Sequence, residues 1–228
     1  MMTNKNIFSI FVAALVFFFL FRDGVCIGVT YSGSQATLPE DLSGMDRTYM
    51  DPTAAALTLA ESRLKQGYWQ EAVQYAQLVI SRDKQNRKAH GILGTIYALG
   101  GQKKLAEGEL TFLKGMGEKG FYVDLIEAIL KAQEKKYKEA ENHLNLALQK
   151  EPGHPVAIYY SGSLSLAQNN LERAENGFKN VIASNPNFSP ALAGLGQVSW
   201  QKKKAQEAVS YYQKAIENDP GTVIYNKQ

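Results

Sequence analysis

Cysteine is almost missing from this chain: 228 residues carry one, Cys26. A single thiol excludes an internal disulfide framework and every zinc site built from paired cysteines. Histidine is scarce as well. The three present, His90, His143 and His154, do not include two spaced four apart on one helix, the usual two-histidine metal arrangement. No Gly-rich phosphate loop occurs, no serine stands in a nucleophile-elbow context, and the carboxylates are scattered over helix surfaces. These absences point away from catalysis, and no catalytic residue, metal or cofactor is expected. An excess of one charge is also lacking: 25 Lys and Arg stand against 22 Asp and Glu, and a net +3 is too small to imply a nucleic-acid partner.

Long apolar runs are confined to Ile7–Phe21, preceded by Lys5 and followed by Arg22, Asp23 and Gly24. A basic lead, an apolar stretch and small residues beyond it (Gly24, Cys26, Gly28) predict a secretory signal peptide over residues 1–26. A retained N-terminal anchor over 7–21 is the alternative, although the run is shorter than the ~18 residues of an ordinary span. Lipidation at Cys26 is a third reading, disfavoured because Asp23 and Val25 occupy places where a lipobox has an aliphatic and a small residue. Residues 27–52 are polar, contain Gly, Ser, Thr and Pro, and lack a helical period; they read as a flexible linker or arm. The alternative is that Tyr31, Leu38, Met45, Tyr49 and Met50 dock along the fold or on a partner.

What the chain has in abundance is periodicity. Ala72, Ala106, Ala140, Ala174 and Ala208 are spaced 34 apart. Twelve places before each stands a small residue (Ala60, Gly94, Ala128, Gly162, Gly196). Four places after stand Ala76, Leu110, Leu144, Phe178 and Tyr212, and seven after Val79, Leu113, Ala147, Val181 and Ala215. Proline follows at the unit boundary in three cases, Pro152, Pro186 and Pro220, where it stops a helix. Small residues on two antiparallel helices let their backbones approach while larger ones fill the grooves.

On these columns the chain resembles the tetratricopeptide-repeat (TPR) family. The resemblance implies an all-α fold, an α-solenoid of five tandem helix-turn-helix repeats wound as a right-handed superhelix. The units fall at 53–86, 87–120, 121–154, 155–188 and 189–222, with a short tail at 223–228. Arg63 stands where the family has a large aromatic. The second unit closes on Lys114–Gly120, three glycines in place of a proline boundary, which predicts a hinge or a relaxed loop. Glu127 and Lys131, four apart at places commonly apolar, are expected to form a modest pair. Six residues after the fifth unit are too few for a capping helix, leaving that face to the tail or to another molecule.

In the family the first helices line a concave surface that grips partner segments. The resemblance places Tyr122, Leu125, Ile129, Tyr159, Tyr160, Ser163, Gln197 and Trp200 there, an aromatic and aliphatic groove suited to a protein partner. The Lys, Asn and Arg clamp for chaperone tails is absent, with Leu57, Glu61, Thr95 and Leu125 in its places. Lysines gather at the turns, Lys103, Lys104, Lys135, Lys136, Lys202, Lys203 and Lys204, and would form a basic edge facing solvent or an anionic surface. Export plus such repeats resembles cell-envelope and periplasmic scaffolds that assist pilus, secretion, polysaccharide or cytochrome assembly. The expected function is therefore a non-catalytic scaffold that binds protein in the groove. A self-assembling homo-oligomer joined through the last repeat, and an accessory subunit of an enzyme complex, are the alternatives.

Overall fold

The computed structural model describes residues 51–219, and the expected signal segment 1–26, most of the 27–52 arm and the 223–228 tail lie outside them. Among the described residues there are ten helices and no strand. They are α1 (Pro52–Gln66), α2 (Trp69–Arg82), α3 (Arg87–Leu99), α4 (Lys103–Gly115), α5 (Phe121–Gln133), α6 (Tyr137–Lys150), α7 (Pro155–Ala167), α8 (Leu171–Ser184), α9 (Ser189–Gln201) and α10 (Ala205–Asn218). The described residues fall into two compact units, 51–154 and 155–219.

Local chemistry sets the helix starts. The Asp51 side chain accepts a hydrogen bond from the Thr53 N–H at 3.0 Å while Pro52 takes the first helical place, where no N–H is needed. Asn86 and Asn170 cap α3 and α8 in the same way, accepting from the N–H groups of Ala89 and Arg173, each at 3.1 Å. Between the helices of each pair the chain reverses through one left-handed residue: Gly67, Gly101, Lys135, Asn169 and Lys203, with φ between 60° and 87°. These five positions are again 34 apart, and three of them carry a side chain in a conformation that glycine adopts most readily.

In the first unit α1 packs on α2, α3 on α4 and α5 on α6, and each first helix also touches the next first helix. In the second unit α7 packs on α8 and α9 on α10, with α9 also against α7 and α8. The five register alanines are at most 1% exposed. The small column explains how the pairs close. A Cβ on Gly162 would lie 2.9 Å from the Phe178 ring, and one on Gly196 2.9 Å from the Tyr212 ring. A Cβ on Gly177 would lie 2.9 Å from the Cα of Gly162, so at this crossing of α7 and α8 the two backbones are in direct contact.

Three local features differ from, or sharpen, the sequence expectation. Glu127 and Lys131 pair elsewhere: Glu127 with Lys114 at 2.5 Å and Lys131 with Glu139 at 3.1 Å, because α4 and α6 bring opposite charges nearer than the next turn of α5 does. Arg63 partners Glu71 at 3.0 Å with its guanidinium 5.7 Å from the centre of the Tyr68 ring, filling the family's aromatic place with a flat cation over an aromatic face. The glycine-rich boundary is a hydrogen-bonded turn: the N–H groups of Met116, Gly117 and Glu118 bond back to Phe112, Lys114 and Leu113 at 2.9–3.1 Å. Lys150 also donates to the carbonyl of Lys119, tying that turn to the end of α6.

Two predictions test this packing by thermal unfolding. Gly177→Ala drives a methyl into the backbone of α7 and is expected to destabilise by about 1–3 kcal/mol, whereas Gly108→Ala, on an open face of α4, is expected to stabilise by up to about 1 kcal/mol. Equal shifts for the two would refute the close approach. Lys203→Gly removes a side chain from a left-handed residue and is expected to stabilise by about 1 kcal/mol; a loss of stability would show that Lys203 contributes more than its backbone strain costs.

Candidate functional site

The expected partner-binding residues sit on first helices, and their exposure differs. In the first unit Leu125 and Ile129 on α5 are 0% and 1% exposed and belong to the core. Tyr122 is half-buried, its ring lying over Gly91 of α3, where a Cβ would come within 2.4 Å of Tyr122 Cγ. Burial, with Glu61 and Glu151 nearby, raises the pKa of its hydroxyl. Phe121 meets Tyr122 edge-on at 5.2 Å and His154 at 4.4 Å.

In the second unit Tyr159, Ser163 and Trp200 are half-buried, while Tyr160 and Gln197 are buried. The Tyr159 ring is flanked by Phe178 at 5.8 Å and Phe188 at 5.6 Å, which holds it in one orientation. The Ser163 hydroxyl donates to the Tyr159 carbonyl at 3.2 Å. Neither α7 nor α9 contains a charged residue. Both helices are thus uncharged, and their partly accessible side chains include aromatic and hydroxyl-bearing ones.

The lysines of the expected basic edge are interleaved with carboxylates. Glu134 receives Lys103 and Lys136, each at 2.9 Å, and the two ammonium groups hold its carboxyl down at about 2. Glu175 receives Lys179 at 2.5 Å and Lys202, and is held at about 2 by those two hydrogen bonds. Lys204 lies 3.3 Å from Glu207. Lys104, Lys135 and Lys203 are exposed. Three carboxylates thus offset part of the charge of the seven lysines.

The histidines occupy three different settings. His90 is packed against Phe112, with Nδ1 2.6 Å from Glu109 Oε2 and Nε2 3.0 Å from the Lys84 carbonyl, so both nitrogens face oxygen acceptors across α3, α4 and the preceding turn. His143 lies beside Asp124 and Glu127, and these three side chains could together hold a metal ion. Short His–His spacing in the sequence does not mark this group, because two of its members are carboxylates on α5 and the third lies on α6. His154 is 3% exposed, and neither ring nitrogen has a hydrogen-bond partner.

Burial, with the charge of Lys65, pushes the His154 ring from 6.5 down to about 4. Unfolding frees the ring to take a proton at its ordinary pKa, so between these two values acid favours the unfolded chain. Stability is expected to fall by on the order of 2–3 kcal/mol as pH drops through that window. His154→Leu should flatten this dependence in denaturant titrations, and an unaltered pH profile would contradict the assignment.

Family profiles described as tetratricopeptide repeat match residues 55–88, 131–198 and 189–222. Among solved structures, a tetratricopeptide repeat protein from Parabacteroides merdae is 15% identical, with 77% of this chain and 70% of that one covered and a TM-score of 0.53. The MamA protein is 20% identical, with 76% and 94% covered and a TM-score of 0.43. The CTR9 homolog of Arabidopsis thaliana is 25% identical over 112 residues, 49% of this chain but only 10% of that much longer protein. With the helix pairs, the buried 34-residue columns and the matching profiles all in agreement, the chain belongs to the tetratricopeptide-repeat family.

Proposed function

We propose that the chain is a non-catalytic scaffold that holds an apolar or aromatic segment of a partner protein against its first helices. The supporting observation is that α7 and α9 carry no charged residue over Pro155–Ala167 and Ser189–Gln201, while Tyr159, Ser163 and Trp200 remain partly accessible. An apolar lining without charge costs little to desolvate, and Tyr and Trp contribute large contact area with few rotors to freeze. Tyr159, braced by Phe178 and Phe188, is already oriented before a partner arrives.

The N-terminal sequence Ile7–Phe21 supports placing this scaffold in the cell envelope, exported by a signal segment or anchored through it. There it would assist the assembly of an envelope machine such as a pilus, secretion channel, polysaccharide exporter or cytochrome system. No described helix is long and apolar enough to cross a membrane.

The test places a photo-crosslinking residue at Ser163 in the native cell, with one at Asn145 on the exposed side of α6 as control. A partner that crosslinks at 163, not at 145, and is lost in the Tyr159→Ala/Trp200→Ala variant with helicity unchanged, is the expected result. Two truncated aromatic anchors should weaken such a complex by at least tenfold. Crosslinks to other copies of this chain alone, unaffected by the double variant, would replace this reading with self-assembly.

A further inference from the structure

The third helix pair breaks the apolar rule on one face. Asp124 and Glu127, three apart on α5, and His143 on α6 meet at the seam of the pair. Each carboxylate has one oxygen engaged: the Lys150 ammonium donates to Asp124 Oδ2, and the Lys114 ammonium to Glu127 Oε1 at 2.5 Å. The remaining oxygens turn toward the imidazole, with Asp124 Oδ1 3.8 Å and Glu127 Oε2 3.3 Å from His143 Nδ1. That nitrogen is shut off from water and makes no hydrogen bond, although Glu127 is close. All three ligand atoms lie within 4.8 Å of one another.

We propose that Asp124, Glu127 and His143 form a site for a divalent transition metal of the zinc type, with the fourth position open to water. Tetrahedral zinc with bonds of about 2.0–2.1 Å requires ligand atoms about 3.3–3.4 Å apart. Of the two imidazole–carboxylate separations one already has that length and the other is 3.8 Å, while the two carboxylate oxygens lie within 4.8 Å of each other, so side-chain rotation of the two acids has to close the set. One imidazole nitrogen with two carboxylates suits zinc and its neighbours in the first transition row, while magnesium and calcium favour oxygen alone. The lysines act in two ways. They orient the carboxylates by holding the oxygens that point away from the imidazole. They also compete with the ion, because with a neutral imidazole the two acids are already balanced by two ammonium groups. The Lys114 and Lys150 side chains are 50% and 40% exposed, so each can swing its ammonium into water as the ion enters.

The experiment uses the purified full chain without an affinity tag, titrated with Co2+ as a spectroscopic stand-in for Zn2+. Tetrahedral Co2+ absorbs strongly in the visible, so one equivalent should give a band that added Zn2+ abolishes. His143→Asn is expected to remove the band, and Asp124→Asn to weaken binding at least tenfold. Zn2+ should raise the melting temperature of the wild type and of Glu139→Gln, an exposed carboxylate outside the site, raise that of Asp124→Asn by less, and leave that of His143→Asn unchanged. Circular dichroism checks each variant's fold, and Asp124→Asn decides the matter should His143→Asn fail to fold. No visible band from the wild type, or an undiminished band in the folded site variants, would overturn the proposal. The readout is the metal itself, so the result is independent of whether a protein partner docks on α7 and α9.

Discussion

Everything in this fold rests on how near two helix backbones can come. At Gly177 the near approach is limited by main-chain atoms alone, those of Gly162, and a single added methyl would collide with them. Elsewhere a ring from one helix lies in the gap left by a glycine on the other, as Phe178 does at Gly162 and at Gly194. The attraction at such crossings is the sum of many weak dispersion contacts, lost quickly when a gap opens. A small residue once per unit therefore sets the helix spacing, and the buried alanines keep that spacing constant along each unit. Repetition makes the requirement strict, since every pair must present a compatible face to the next.

The second constraint is the reversal inside each pair. One left-handed residue turns the chain, and glycine fills that place in the first two pairs. In the others Lys135, Asn169 and Lys203 fill it, at a cost in backbone strain that is larger for lysine than for asparagine. The flanking lysines are anchored by carboxylates: Glu134, in the turn between α5 and α6, holds Lys103 and Lys136, and Glu175 on α8 holds Lys202. The same residues that looked like an interaction surface in the sequence thus also serve as local ties between turns. As exposed pairs they add little stability individually, but they lower the net charge that the turns present to solvent.

How much of this could be read from the sequence depends on the range of the interaction. The helix pairs and their period were legible because packing against a fixed neighbour imposes the same residue size at the same step: Ala72 predicts Ala106. Of the left-handed turns, only those at Gly67 and Gly101 carry the residue type that adopts this conformation most readily. At Lys135 and Lys203 no residue type announces the conformation, and it emerges only from the hydrogen bonds that close the turn. The Glu127–Lys131 expectation failed for a related reason. Helical spacing describes one helix in isolation, and Lys114 and Glu139 on neighbouring helices offered nearer charges. For the lining, residue type alone could not separate Leu125 and Ile129, which the core absorbs, from Tyr159 and Trp200, which keep part of their surface.

The polar seam of the third pair is better understood beside the turn it adjoins. Units four and five begin after Pro152 and Pro186, which end the preceding helix by themselves. Between α4 and α5 no proline is present, and Gly115, Gly117 and Gly120 would leave the chain free to open. In its place, charges hold the turn from three directions: Lys114 on Glu127, Arg87 on Glu118 at 3.8 Å, and Lys150 on both Asp124 and the Lys119 carbonyl. Ion pairs so close to the core gain little over an apolar filling of the same shape, so stability alone is a weak reason to build the seam this way. What the arrangement provides that leucines could not is a pair of oriented carboxylate oxygens facing a water-excluded imidazole nitrogen. One ammonium group, that of Lys150, thus serves both the turn, through the Lys119 carbonyl, and the seam, through Asp124.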